Sequence, residues 1–119
     1  MSDILETDIC VIGGGSGGLS VAAGASQMGA PTVLIEGGEM GGDCLNYGCV
    51  PSKALLASGK LAYSHLHSAD FGLTSAAPHV DYAAAKDHVQ DVIAQIAPVD
   101  SQERFEGFGV NVIREFGRF

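Results

Sequence analysis

The sequence is short of several things at once. It has no tryptophan, four prolines and 7% aromatic residues. Six Lys and Arg stand against fourteen Asp and Glu, a net charge of −8. That balance excludes nucleic acid or an anionic membrane as the main partner, since both need a basic surface. The acidic residues are scattered, as on an ordinary solvated surface. Three cysteines are an odd count, too few for the disulfide scaffold of a secreted domain. The first residues, Met-Ser-Asp-Ile-Leu-Glu-Thr-Asp, lack the basic charge of a signal or transit peptide, so a cytoplasmic location is expected. In that compartment a disulfide is more often catalytic than structural.

Charge is missing altogether from residues 9 to 35, a run long enough to span a bilayer. The run even holds Gly13-x-x-x-Gly17, a helix-pairing pattern in lipid. Yet five glycines fall within residues 13–18 and Pro31 follows, which makes an uninterrupted helix poor. A strand, a loop and then a helix explain the run better. Hydrophobic content of 46% over 119 residues is enough for one small packed domain.

Thr7 to Ile12 is short, apolar and β-branched and reads as a buried strand. Cys10 within it reads as a small core residue without chemistry. Gly13-x-Gly15-x-x-Gly18 follows at once. Leu19 to Met28 reads as a helix stopped by Gly29, with Ala22, Ala23 and Ala25 letting it lie close to a sheet. Thr32 to Ile35 reads as a second strand ending at Glu36. This βαβ unit carries every part of a dinucleotide fingerprint. Gly13 makes the tight turn, Gly15 lets backbone approach a pyrophosphate, and Gly18 lets helix and strand pack. The helix N-terminus, at Ser16 and Gly17, attracts phosphate. Glu36, 18 positions after Gly18, accepts from ribose hydroxyls.

Gly41-Gly42-Asp43-Cys44-Leu45-Asn46-Tyr47-Gly48-Cys49-Val50-Pro51-Ser52-Lys53 comes next. On a regular helix, an offset of five separates Cα atoms by roughly 8–9 Å. A disulfide tolerates about 4.4–6.8 Å. If Cys44 and Cys49 are bonded, the segment between them is therefore not regular helix. Asn46 and Gly48 suit a distorted turn. Pro51 suits the first turn of a following helix, so Cys49 lies near a helix N-terminus, where free N–H groups and the dipole favour a thiolate. From the residues alone, two structural cysteines at a helix start remain the alternative.

The Cys-Leu-Asn-Tyr-Gly-Cys-Val-Pro-Ser-Lys run resembles the redox-active disulfide of the flavoprotein disulfide reductases. These are the class I pyridine nucleotide-disulfide oxidoreductases, which include dihydrolipoamide dehydrogenase, glutathione reductase and mercuric reductase. The resemblance implies a Rossmann-like α/β FAD-binding domain with a parallel sheet. It makes residues 1–119 its N-terminal portion, with the nicotinamide and dimerisation domains absent. It implies FAD at Gly13, Gly15, Ser16, Gly17, Gly18, Glu36, Gly42, Cys49 and Lys53. It implies NAD(P)H as co-substrate, a homodimer, and electrons passing from NAD(P)H through FAD and a Cys44–Cys49 disulfide to a small or protein-bound disulfide. The matching positions make Cys44 the exchange thiol, Cys49 the thiolate beside the flavin, and Lys53 a residue near the flavin N5. The alternative is a non-catalytic FAD-binding module with no turnover of its own. Asp43 departs from the family's usual threonine, so no cofactor contact is carried to it. The four histidines lack a ligand cluster, and no metal site is expected.

Beyond the cysteines, Leu55, Gly59, Ala62 and Leu66 form the expected core stripe of the helix from Pro51. Asp70 to His79 reads as a linker. Asp81 is expected to cap a helix with an apolar face of Tyr82, Ala85, Val89, Val92 and Ile96. A helical piece follows Pro98, then a strand at Val110–Ile113 and the start of a fourth at Glu115–Phe119.

Overall fold

A computed structural model describes residues 3–119. Strand β1 is Ile9–Ile12, helix α1 Ser16–Gln27, strand β2 Thr32–Ile35, helix α2 Gly42–Asn46 and helix α3 Cys49–Leu66. Helix α4 is Tyr82–Ile96, helix α5 Gln102–Gly107 and strand β3 Asn111–Ile113, with single 3-10 turns at Ser68–Phe71 and Ala97–Asp100. The strands are all parallel in the order β1-β2-β3. Ile9 pairs with Thr32 and Ile12 with Ile35, while Val33 pairs with Asn111 and Ile35 with Ile113. This is a Rossmann-like α/β arrangement, in which a parallel sheet needs crossover connections such as α1. β2 is the central strand, and Thr32, Val33 and Leu34 are all buried in it.

The core lies between the sheet and helices α1 and α5. Val11, Leu19, Ala22, Leu34, Phe105, Val110 and Val112 close it. Ala22 is fully buried, so the small side chain sets how near α1 comes to the sheet. Asp81 caps α4 by accepting from Ala84 at 3.1 Å, as the sequence predicts, and Ser101 caps α5 by accepting from the Arg104 N–H.

Several expectations are corrected. β1 is buried on one face only: Val11 is buried, whereas Cys10 and Ile12 are exposed. The reason is that α1 covers one side of the sheet and β1 is an edge strand among the described residues. The stripe on α3 is not core. Leu55 and Leu66 are exposed and only Ala54 of that helix is buried. Helices α3 and α4 pack on each other as a hairpin, and two helices alone leave most of each surface wet. The molecule is accordingly elongated, 71 × 27 × 23 Å. On α4, Val89 is buried but Tyr82 is exposed. No fourth strand forms at residues 115–119. That segment instead crosses the strand ends: Phe116 packs where a Cβ on Gly37 would stand, Gly117 faces Ile12, and the Arg114 guanidinium donates to the Gly38 carbonyl.

Candidate functional site

The glycine-rich turn follows β1 directly. Gly13 has φ +104°, a conformation that favours glycine, and its N–H donates to the Ile35 carbonyl at 2.8 Å. A Cβ on Gly18 would lie 1.8 Å from the Gly13 carbonyl oxygen and 3.2 Å from Val11. Helix α1 can therefore rest on β1 only with glycine there. Gly15 is different. Its φ is −83°, open to any residue, and nothing lies within 4 Å of its missing Cβ. Gly17 is likewise unobstructed. Ser16 and Gly17 begin α1, so their N–H groups belong to the turn of a helix that has no intrahelical acceptors.

Glu36 sits one residue past β2 and turns back to this loop. One carboxylate oxygen accepts from the Gly14 N–H at 2.6 Å, and the other accepts from the Gly38 N–H at 2.6 Å. A carboxylate offers about four acceptor positions, so each oxygen keeps capacity for a further donor. The loop 37–42 then folds over the turn. Gly41 donates to the Gly14 carbonyl at 2.8 Å, and a Cβ on Gly42 would stand 2.8 Å from the Gly15 Cα. Gly41 and Gly42 are the residues of this segment with positive φ, while Gly48 lies in the non-helical break as expected. The sequence carried a signal for this in the Gly41-Gly42 doublet.

The cysteines stand on two helices. Cys44 is in the middle of α2, not on an irregular turn, and Cys49 is the first residue of α3. Only Tyr47 and Gly48 are non-helical between them. The expected break in the helix is present, and α3 begins two residues before Pro51. Pro51 is tolerated as the third residue because N–H groups of a first turn have no helical acceptor. Gly48 is needed for space: a Cβ there would lie 2.9 Å from the Asp43 carbonyl oxygen. Both cysteines are free thiols. A hydrogen bond between the two sulfurs pushes the Cys44 thiol above its ordinary pKa, and desolvation and the charge of Cys49 add to the rise. The Cys49 backbone N–H and the Lys53 ammonium oppose it without prevailing.

Cys44 lines a cavity of about 300 Å³ with Ser16, Leu45, Val50, Asp100 and Arg104. Cys49 and Lys53 do not line it. Asp100 and Arg104 were not expected at the site, because they reach it from α5 and the turn before it, over 50 residues away in sequence. Arg104 is held by its donation to the Val99 carbonyl at 2.6 Å and lies over the Phe108 ring.

The family profile described as "Pyridine nucleotide-disulphide oxidoreductase" matches residues 7–111. The chain belongs to this family. Dihydrolipoyl dehydrogenase of Pseudomonas aeruginosa is 37% identical over 121 aligned residues, covering 99% of this chain and 26% of that protein. Leghemoglobin reductase of Vigna unguiculata is 38% identical, covering 96% of this chain and 22% of its own length. Dihydrolipoyl dehydrogenase of Chlamydia muridarum is 44% identical over 89 residues, covering 75% of this chain and 19% of its own. The chain therefore spans about a quarter or less of these curated relatives. The pyridine nucleotide-disulphide oxidoreductases use FAD and a pyridine nucleotide. Among the described residues, no helix is long and apolar enough to cross a membrane, and no group of three or more His, Cys, Asp or Glu could hold a metal ion.

Proposed function

We propose that this chain binds FAD across the Gly13–Gly18 turn and contributes the thiol pair of an NAD(P)H-dependent disulfide oxidoreductase. The observation that carries the reading is Gly15. Gly13 and Gly18 are glycine for reasons internal to the fold, whereas Gly15 has ordinary backbone angles and open space above it. A glycine with no internal reason, at the N-terminus of a 12-residue helix, suits the close approach of a pyrophosphate. Gly13, Gly15, Ser16, Gly17, Gly18 and Gly42 would hold the phosphates, and Glu36 the ribose hydroxyls. Cys49 and Lys53 would face the flavin. FAD, when bound, supplies the two-electron relay between the nicotinamide and the thiol pair.

The cysteines carry the exchange. The Cys44 sulfur, on the cavity wall, is the one an incoming disulfide meets. As a thiolate it attacks one sulfur of that disulfide, and the other sulfur leaves as a thiolate. The Cys49 sulfur then attacks Cys44, closing the Cys44–Cys49 bond and expelling the second substrate thiolate. The two protons lost by the cysteines go to the two departing thiols. The homodimer and the cytoplasmic location rest on the family resemblance and belong to the same proposal.

The test is FAD titration of the wild-type chain and Gly15→Ala, followed by flavin fluorescence. Gly15→Ala should melt like the wild type yet bind FAD at least about tenfold more weakly, because a methyl fills the approach space. Equal FAD affinity in both proteins would overturn the assignment.

A further inference from the structure

Tyr47 occupies the break that separates the two cysteine-bearing helices. Its hydroxyl donates to the Glu39 carboxylate at 2.5 Å, across eight residues. The ring is 72% exposed, so burial does not fix where it goes. The rest of the break is tied only locally. The Tyr47 N–H donates to the Asp43 carbonyl at 2.9 Å, and Asn46 Nδ2 donates to the Met40 and Gly42 carbonyls at 3.1 and 2.9 Å. Glu39 belongs to the same loop that Glu36 and Gly41 bind to the glycine-rich turn. A contact between Tyr47 and Glu39 therefore joins the dinucleotide loop to the two-residue break between the cysteine-bearing helices.

We infer that Tyr47 and Glu39 form a positioning latch that holds the α2–α3 break in the shape that brings the Cys44 and Cys49 sulfurs together. The inference rests on the exchange reading above. The Glu39 carboxylate beside the phenol, with a smaller contribution from Asp43, also raises the Tyr47 pKa, which keeps the phenol in its donating form. The physical effect is preorganisation. In the dithiol the latch confines the joint to the closed geometry that the disulfide requires. Without it the open dithiol gains conformational freedom, and closing the S–S bond must first remove that freedom. The latch acts through the cysteines and touches no reacting atom, so both residues are positioning residues.

The reaction to measure is closure by glutathione disulfide. Cys44 and Cys49 lose two thiol protons and two electrons and form one S–S bond. The glutathione S–S bond breaks and yields two glutathione thiols. The equilibrium constant is read in glutathione buffers of graded ratio by alkylating free thiols and weighing the intact chain. Tyr47→Phe keeps the ring and removes only the hydroxyl, and Glu39→Ala removes the acceptor. Each should lower the constant about fivefold. The double variant should fall no further than either single one, as for two ends of one contact. Glu39→Gln, which keeps an acceptor oxygen, should restore most of the loss. Melting temperatures should stay within a degree or two, since a merely structural role would move them and leave the redox constant alone. Wild-type closure with an unchanged constant in Tyr47→Phe overturns the latch and leaves the exchange reading intact. A wild-type chain whose cysteines never close overturns both.

Discussion

Gly18→Ala tests the fold at its tightest point. An added Cβ would lie 1.8 Å from the Gly13 carbonyl oxygen, 3.0 Å from the Gly13 carbonyl carbon and 3.2 Å from Val11 Cγ1. Two of these atoms are backbone and cannot rotate away. Ordinary contact begins near 3.4 Å, so α1 must withdraw from β1 by about 1.6 Å in a close-packed core. Overpacking of this kind costs about 1–3 kcal/mol, and a backbone clash belongs at the top of that range. Alanine in a helix returns up to about 1 kcal/mol over glycine. The expected net loss is roughly 2 kcal/mol, or about 8 °C in Tm for a domain of this size. Gly24→Ala is the matched control on the same helix. It is exposed with nothing within 4 Å, so it should gain up to about 1 kcal/mol from propensity alone. The assay is urea denaturation of both variants followed by far-UV circular dichroism. Opposite signs are expected from two substitutions that are chemically the same. Gly18→Ala as stable as the wild type would refute the claim that the α1–β1 spacing depends on this residue.

Two further outcomes follow from the site. Glu36→Ala removes the acceptor of two backbone N–H groups as well as the proposed ribose acceptor. FAD affinity, read by fluorescence titration, should fall by roughly 1.5–3 kcal/mol, and unchanged affinity would mean that the ribose is held elsewhere. Cys49→Ser removes the sulfur hydrogen bond and the neighbouring thiolate charge that raise the Cys44 pKa. Since both causes disfavour the Cys44 thiolate, its pKa should drop towards the ordinary value. The pH profile of iodoacetamide alkylation at Cys44 should then shift to lower pH, and a shift to higher pH would contradict the sulfur–sulfur contact.

Where the sequence read correctly, the cause was local. The strand Thr32–Ile35 is a run of four β-branched or aliphatic residues. Asp81 is a cap whose side chain bonds within three residues of itself. Gly13 and Gly18 are determined by their spacing in a turn that only glycine can make. The break between Cys44 and Cys49 followed from helix geometry once a bond between them was supposed, without knowledge of what packs around it.

Where the sequence misled, a distant segment decided the result. The apolar spacing on α3 looked like a core stripe, but periodicity reports which residues share a face and not whether a partner covers that face. Only the tertiary structure shows that α3 and α4 pack mainly on each other, leaving Leu55 and Leu66 exposed. Cys10 sits in an apolar strand, and its exposure depends on which side of the sheet α1 occupies. Arg104 and Asp100 join Cys44 at one cavity, Phe116 meets Gly37, and Tyr47 meets Glu39, all through side chains whose neighbours come from elsewhere in the chain. The sequence by itself determined the βαβ turn, the position of Glu36 after β2 and the helical break between the thiols, because backbone sterics and short hydrogen bonds act over a few residues. Tertiary packing alone decided which thiol lines a cavity and which residues surround it, because contact in space is set by how helices and strands assemble and not by their order along the chain.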